Sequence, residues 1–139
     1  MFYKRQEYLI KNDEELQKLA LEWCEYLNLS NNWDIVFKLE RKSGIKAESQ
    51  ADCDWTLGSN TAIICIMDHA DWENKLFQQD MEVSLVHELL HLYFCTFDST
   101  VDGSAEHTRL EQTIEALSKS LVNLKRMVNK SCICQTNSL

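Results

Sequence analysis

The chain has 139 residues, 45% of them hydrophobic, with a formal net charge of −8 at pH 7 and a sequence pI near 4.9. That length suits one domain whose core needs no disulfide or metal as a staple. The charge excludes tight, charge-driven binding to nucleic acid phosphates or anionic lipid, and any charge-steered partner is expected to be basic.

No window reaches the roughly 18 consecutive apolar residues of a membrane span. The N-terminus MFYKRQEYLI lacks the apolar segment of a signal peptide, so a cytoplasmic location is expected. The six cysteines, Cys24, Cys53, Cys65, Cys95, Cys132 and Cys134, are then expected to be mostly reduced. Four of them fall in apolar or alternating segments, where thiols pack as small hydrophobes. With no proline, three glycines and no internal repeat, residues 1–139 are expected to form a single domain.

The first element is an amphipathic helix. Asn12 and Glu15 form a capping-box pattern, and Leu16, Leu19, Ala20, Trp23 and Leu27 follow at helical spacing, with an end expected near Ser30 to Asn32. Trp33, Ile35, Phe37 and Leu39 then alternate with Asp34, Val36, Lys38 and Glu40, the period of a strand with one buried face. Ala51, Cys53, Trp55 and Leu57 alternate in the same way and are closed by the turn signal Gly58-Ser59-Asn60. The run TAIICIMD, residues 61–68, is apolar on both faces, as a strand covered on both sides would be.

After a polar connection, Met81 to Phe97 reads as the most buried helix, apolar on most of its circumference. Ser104 is a plausible N-cap for a long last helix from about Ala105 to Asn129, with Leu110, Ile114, Leu117, Leu121, Leu124 and Val128 as its stripe. Residues 130–139 are expected to be a loosely held tail. The fold expected is α+β: a small three- to four-stranded mixed sheet packed against an N-terminal helix, a buried helix and a long C-terminal helix.

The buried helix carries VHELLHLYF, residues 86–94. His87 and His91 lie one turn apart on one face and can direct imidazole nitrogens at one metal ion, while Glu88 points toward a water on that ion. Zinc with three protein ligands keeps a position for water and lowers its pKa to about 7, and a carboxylate base can then take the proton. Two histidines on a helix can also be no more than packed core residues. Burying them with a glutamate on so apolar a helix is costly without a partner, and a metal is the simplest one.

The third ligand should come from another segment. Glu111 follows His91 with nineteen residues between, and Glu115 lies one helical turn beyond Glu111. Taken alone both could be solvated surface residues; their coincidence with HELLH makes Glu111 the candidate ligand. His107, four residues before Glu111, shares its helix face and is a rival third ligand or a supporting residue.

An HExxH helix followed by a glutamate helix at this spacing resembles the gluzincins, the thermolysin-like branch of the zincin metallopeptidases. The short form is similar to minigluzincins and to small zincin-like proteins of phages and prophages, over about Asn12 to Asn129. The resemblance implies a single Zn2+ per chain held by His87, His91 and Glu111, with Glu88 as catalytic base. Glu115 would hold a ligand histidine from the place where thermolysin-like enzymes have aspartate, and it is one methylene longer. The resemblance also implies that a peptide substrate adds as a strand to a sheet edge, taken here as Ala62 to Met67. Full gluzincins take their oxyanion donor from a C-terminal subdomain, for which a chain of this length is expected to have no room.

The leading expectation is therefore a zinc-dependent metallopeptidase that hydrolyses peptide bonds through a zinc-activated water, with Glu88 as general base. One alternative is a zincin-fold metal-binding or interaction module with little turnover. Another resembles the SprT-like proteases, with His107 as third ligand, although the acidic charge counts against their DNA-linked role. His69 is expected to be a loop residue and Cys95 a packed thiol. Cys132 and Cys134 raise the idea of a thiolate that blocks the metal. Trp23, Trp33 and Trp55 are expected in the core, with Trp72 on a cleft rim.

Overall fold

The computed structural model describes residues 7–73 and 76–137, the side chains of 133–137 excepted. Helix α1 (Asp13–Tyr26) starts where the capping pattern places it. Asn12 Oδ1 accepts from the backbone N–H of Glu15 at 2.9 Å, satisfying a donor that a helix start otherwise leaves without a partner. Glu15 reaches back to the N–H of Lys11 at 2.9 Å and fixes the entering chain. The helix ends at Tyr26, earlier than its spacing predicts, because Asn28 adopts a left-handed φ of 54° that turns the chain away.

Three strands follow: β1 (Asp34–Glu40), β2 (Ala51–Thr56) and β3 (Thr61–Met67). They form one mixed sheet in the order β1-β3-β2, with β1 parallel and β2 antiparallel to β3. The expectation that Ala62 to Met67 forms the sheet edge is therefore corrected: β3 is the central strand. Its composition explains why. Ala62, Ile64 and Ile66 face the main core, while Cys65 and Met67 on the opposite face are covered by Ile45 and Trp72. A strand apolar on both faces goes where both faces can be covered, and the edges fall to β1 and β2.

Helix α1 packs on β1, and α2 (Met81–Phe94) lies against β2 and β3. Asp80 caps α2 by accepting from the N–H of Val83 at 3.2 Å. The helix stops three residues before the predicted Phe97. Helix α3 (Ala105–Asn137) packs on α2 and continues past Asn129, so residues 130–137 are helical rather than a loose tail; 138–139 lie outside the described residues.

The buried face of α3 also differs from the predicted stripe. Ile114, Ser118 and Val122 are fully buried, whereas Leu117, Leu124 and Val128 are exposed. The cause is a set of ion pairs that sets the rotation of α3. Glu82 on α2 is only 1% exposed, accepts from Trp23 Nε1 at 2.9 Å and meets Lys125 at 2.7 Å and Arg126 at 3.1 Å. Arg126 also grips both carboxylate oxygens of Asp80, at 2.9 and 3.1 Å. A buried carboxylate is tolerated only when paired and hydrogen-bonded, so these contacts fix which side of α3 turns inward. They also fix direction: residues 125–126 sit beside 80–82, so the antiparallel helix brings 111–115 beside 87–91.

No helix among the described residues is long and apolar enough to cross a membrane.

Candidate metal centre

His87 and His91 occupy one face of α2, their ring centroids 5.2 Å apart. Both present Nε2 to the carboxylate of Glu111, one to each oxygen. His87 Nε2 lies 3.0 Å from Oε2, and His91 Nε2 lies 3.1 Å from Oε1. The three ligand atoms all fall within 4.8 Å of one another, and this is the one such group among the described residues. Neighbouring ligand atoms in a tetrahedral zinc shell with bonds near 2.0–2.1 Å stand about 3.3 Å apart. The observed spacing fits such an ion with little rearrangement, and two imidazoles with one carboxylate are a donor set that suits zinc.

Glu115, one turn beyond Glu111, takes the other nitrogen of His87, with Oε2 2.7 Å from Nδ1. The extra methylene relative to aspartate therefore does not prevent the contact. A carboxylate accepts only, so Nδ1 carries the proton, and on a neutral ring Nε2 is left with the lone pair a metal needs. Burial works against charging His87, but the hydrogen bonds to Glu111 and Glu115 outweigh it and lift the group to about 10. The same bonds hold Glu111 and Glu115 below the ordinary carboxylate range. Two carboxylates thus hold a proton on His87 that a metal would replace, which is how such sites couple metal uptake to proton release.

Glu88, next to His87 on α2, is buried, at 8% exposed. Burial raises it to about 7, with the neighbouring His87 and His91 opposing the rise. It lines two clefts that flank the ligand group. One, of about 230 Å³, runs along Glu48 to Ala51 beside His87 and Glu115. The other, of about 400 Å³, is bounded by Ala51 to Cys53, Trp55, His91, Asp102 and His107. Both are lined by residues at the start of β2, one of the two edge strands.

Of the predicted residues, His87, Glu88, His91, Glu111 and Glu115 come together. His107 stands slightly apart, its Nε2 4.0 Å from Glu111 Oε1 and outside the ligand group. His69 is held away from the site by Gln79 at 2.7 Å. Cys95 is a buried thiol directed at the carbonyl of Leu92. Cys24, Cys53 and Cys65 are likewise buried thiols, and burial raises all three. Cys132 lies in α3, about 30 Å along the helix from Glu111 at 1.5 Å per residue, too far to block the metal. The side chain of Cys134 lies outside the described residues.

Two tryptophans exchange roles relative to expectation. Trp72 packs against the small cluster of Ile45, Cys65 and Met67, away from the cleft. Trp55, expected in the core, is 37% exposed and stacks on His91, with centroids 6.1 Å apart and planes 18° from parallel. Alternation placed Trp55 on the correct face of β2 but could not show that this face ends at the cleft. Also missed was a polar chain behind His107. Thr100 Oγ1 donates to Asp98 at 2.6 Å and meets His107 Nδ1 at 3.1 Å. Compared with protein-family models, curated proteins and solved structures, the chain matches none, so the site is read from its own geometry.

Proposed function

We propose that this chain is a zinc-dependent metallopeptidase of zincin type, resembling a compact gluzincin. The observation that carries the reading is the convergence of two imidazole Nε2 atoms on the two oxygens of one carboxylate, beside a buried glutamate. His87, His91 and Glu111 would hold the ion, and Glu115 orients His87. When bound, a zinc ion there would acidify a water molecule and polarise a substrate carbonyl.

The remaining chemistry belongs to the chain. Glu88, buried and ordinarily raised to about 7, accepts the proton of the attacking water and passes it to the leaving amine. Its burial keeps solvent from competing for that proton. Trp55 packs the ring of His91 and limits its rotation. An extended peptide would pair with the free edge of β2, an edge strand whose first residues line both clefts. Strand addition selects for unfolded or exposed segments rather than for a folded surface.

The chief rival is a module that binds metal without turnover. A structural site has no use for a buried carboxylate beside the ligands, and Glu88 favours hydrolysis. The test is mass spectrometry of a mixture of random decapeptides incubated with the zinc-loaded protein and with Glu88→Gln. Cleavage by the wild type alone, with equal zinc in both proteins, supports the proposal. A wild type that holds zinc but leaves every peptide intact would establish the binding module instead.

A further inference from the structure

We propose that His107 is a fourth, displaceable metal ligand, so that the loaded chain rests with its coordination shell closed; this inference rests on the metal site proposed above. The argument begins with one proton. The Thr100 hydroxyl has a single hydrogen and gives it to Asp98 Oδ1 at 2.6 Å. Its 3.1 Å contact with His107 Nδ1 must then be a bond in which Nδ1–H donates and Thr100 Oγ1 accepts. On a neutral ring, Nε2 is left as a bare lone pair.

That lone pair faces acceptors. Asp102 Oδ1 is 3.8 Å away and Glu111 Oε1 is 4.0 Å away. Three electron-rich atoms turned toward one another repel unless a cation, either a proton or the metal that would replace it, comes among them. The wiring repeats that of His87, whose Nδ1–H is taken by Glu115 while Nε2 faces the same Glu111 carboxylate. Ligand histidines characteristically donate their second nitrogen to a carboxylate or another acceptor. His107 has this through Thr100 to Asp98.

Position agrees with the role. His107 and Glu111 are one turn apart on α3, and both line the larger cleft. The separation from Glu111 is about 1 Å wider than those of His87 and His91. A side-chain rotation in the first turn of α3 would bring Nε2 within reach of an ion held there. Four protein ligands leave no position for water, as in structural zinc sites. Substrate entering along β2 would have to displace His107, and the Asp98–Thr100 pair keeps it nearby to return.

The test is titration of the metal-free full chain with Co2+, followed by its visible absorption, for the wild type, His107→Ala and Thr100→Val. Loss of the imidazole should weaken Co2+ binding by about tenfold or more and change the cobalt bands as the coordination number changes. Thr100→Val leaves His107 in place but removes its acceptor, and should move both readouts part of the way. Identical spectra and affinities in all three proteins would overturn the proposal. If His87→Ala also left Co2+ binding untouched, or the wild type took up none, the metal site itself would fall, and His107 with it.

Discussion

Replacing Glu115 by alanine removes the 2.7 Å acceptor of His87 Nδ1–H without touching a metal ligand. Loss of such an outer partner typically costs 10- to 100-fold in metal affinity, roughly 1.4–2.7 kcal/mol. Glu115 is 38% exposed and shared with Lys119 at 3.3 Å, so solvent screening places the effect near the lower end, about tenfold. A second effect opposes it. Glu115 also helps hold the proton on His87, and its removal makes that proton easier for zinc to displace. The loss of affinity should therefore be smaller at pH 6.5 than at pH 8.5, where proton competition is weaker. Glu115→Gln keeps an oxygen that accepts from Nδ1–H and should lose about half as much binding free energy, since a neutral acceptor bonds about half as strongly. Competition for zinc against a chromophoric chelator at the two pH values gives all of these numbers. An alanine variant that binds as tightly as wild type at pH 8.5 would refute the role assigned to Glu115.

The metal-free protein should be most stable near pH 5. Glu111 and Glu115, held below the ordinary range, contribute stability above about pH 4.5 that is lost as pH falls below it. Glu88, raised to about 7, and His87, raised to about 10, are both raised groups, so their contributions decline as pH rises through those values. The melting temperature of the metal-free chain should fall from pH 5 to pH 8.5, and saturating zinc should raise it more at pH 8.5 than at pH 6; a flat or rising metal-free profile would contradict this. Arg126→Ala removes the two-pronged partner of Asp80 and one partner of the buried Glu82, breaking a buried ion pair at a cost of about 3 kcal/mol. At roughly 2–4 °C per kcal/mol for a chain of this size, the melting temperature should drop by about 10 °C. A shift below about 2 °C in a calorimetric scan would mean that the ion pairs do not set the position of α3.

The residues that converge at the candidate metal centre were legible in the sequence because each depends on spacing within a helix. HELLH fixes His87, Glu88 and His91 on adjacent parts of one turn, and Glu111 and Glu115 stand one turn apart. What spacing could not supply was the rotation of one helix against another. The predicted stripe of α3 repeats every 3.5 residues and drifts about 20° per heptad from the face of a straight helix. The true face is set partly by polar residues, Ser118, Lys125 and Arg126, that a search for apolar spacing passes over.

Strand order posed a different problem. Alternation identifies strands and their faces, but the central place of β3 follows from what covers Cys65 and Met67, namely Ile45 from the connection between β1 and β2 and Trp72 from the turn just after β3. The same limit hid Trp55, whose exposure comes from its position beside His91 at the cleft. The link from Asp98 through Thr100 to His107 joins a loop to a helix start, and no periodic pattern marks it.

The central claim is that His87, His91 and Glu111 form one metal centre, and the most direct measurement is zinc per chain by elemental analysis after dialysis against a mild chelator. The wild type should retain about one zinc and Glu111→Ala should lose it, since removing one of three protein ligands strips the site of its carboxylate charge. Full retention of zinc by Glu111→Ala, or none in the wild type, would contradict the account.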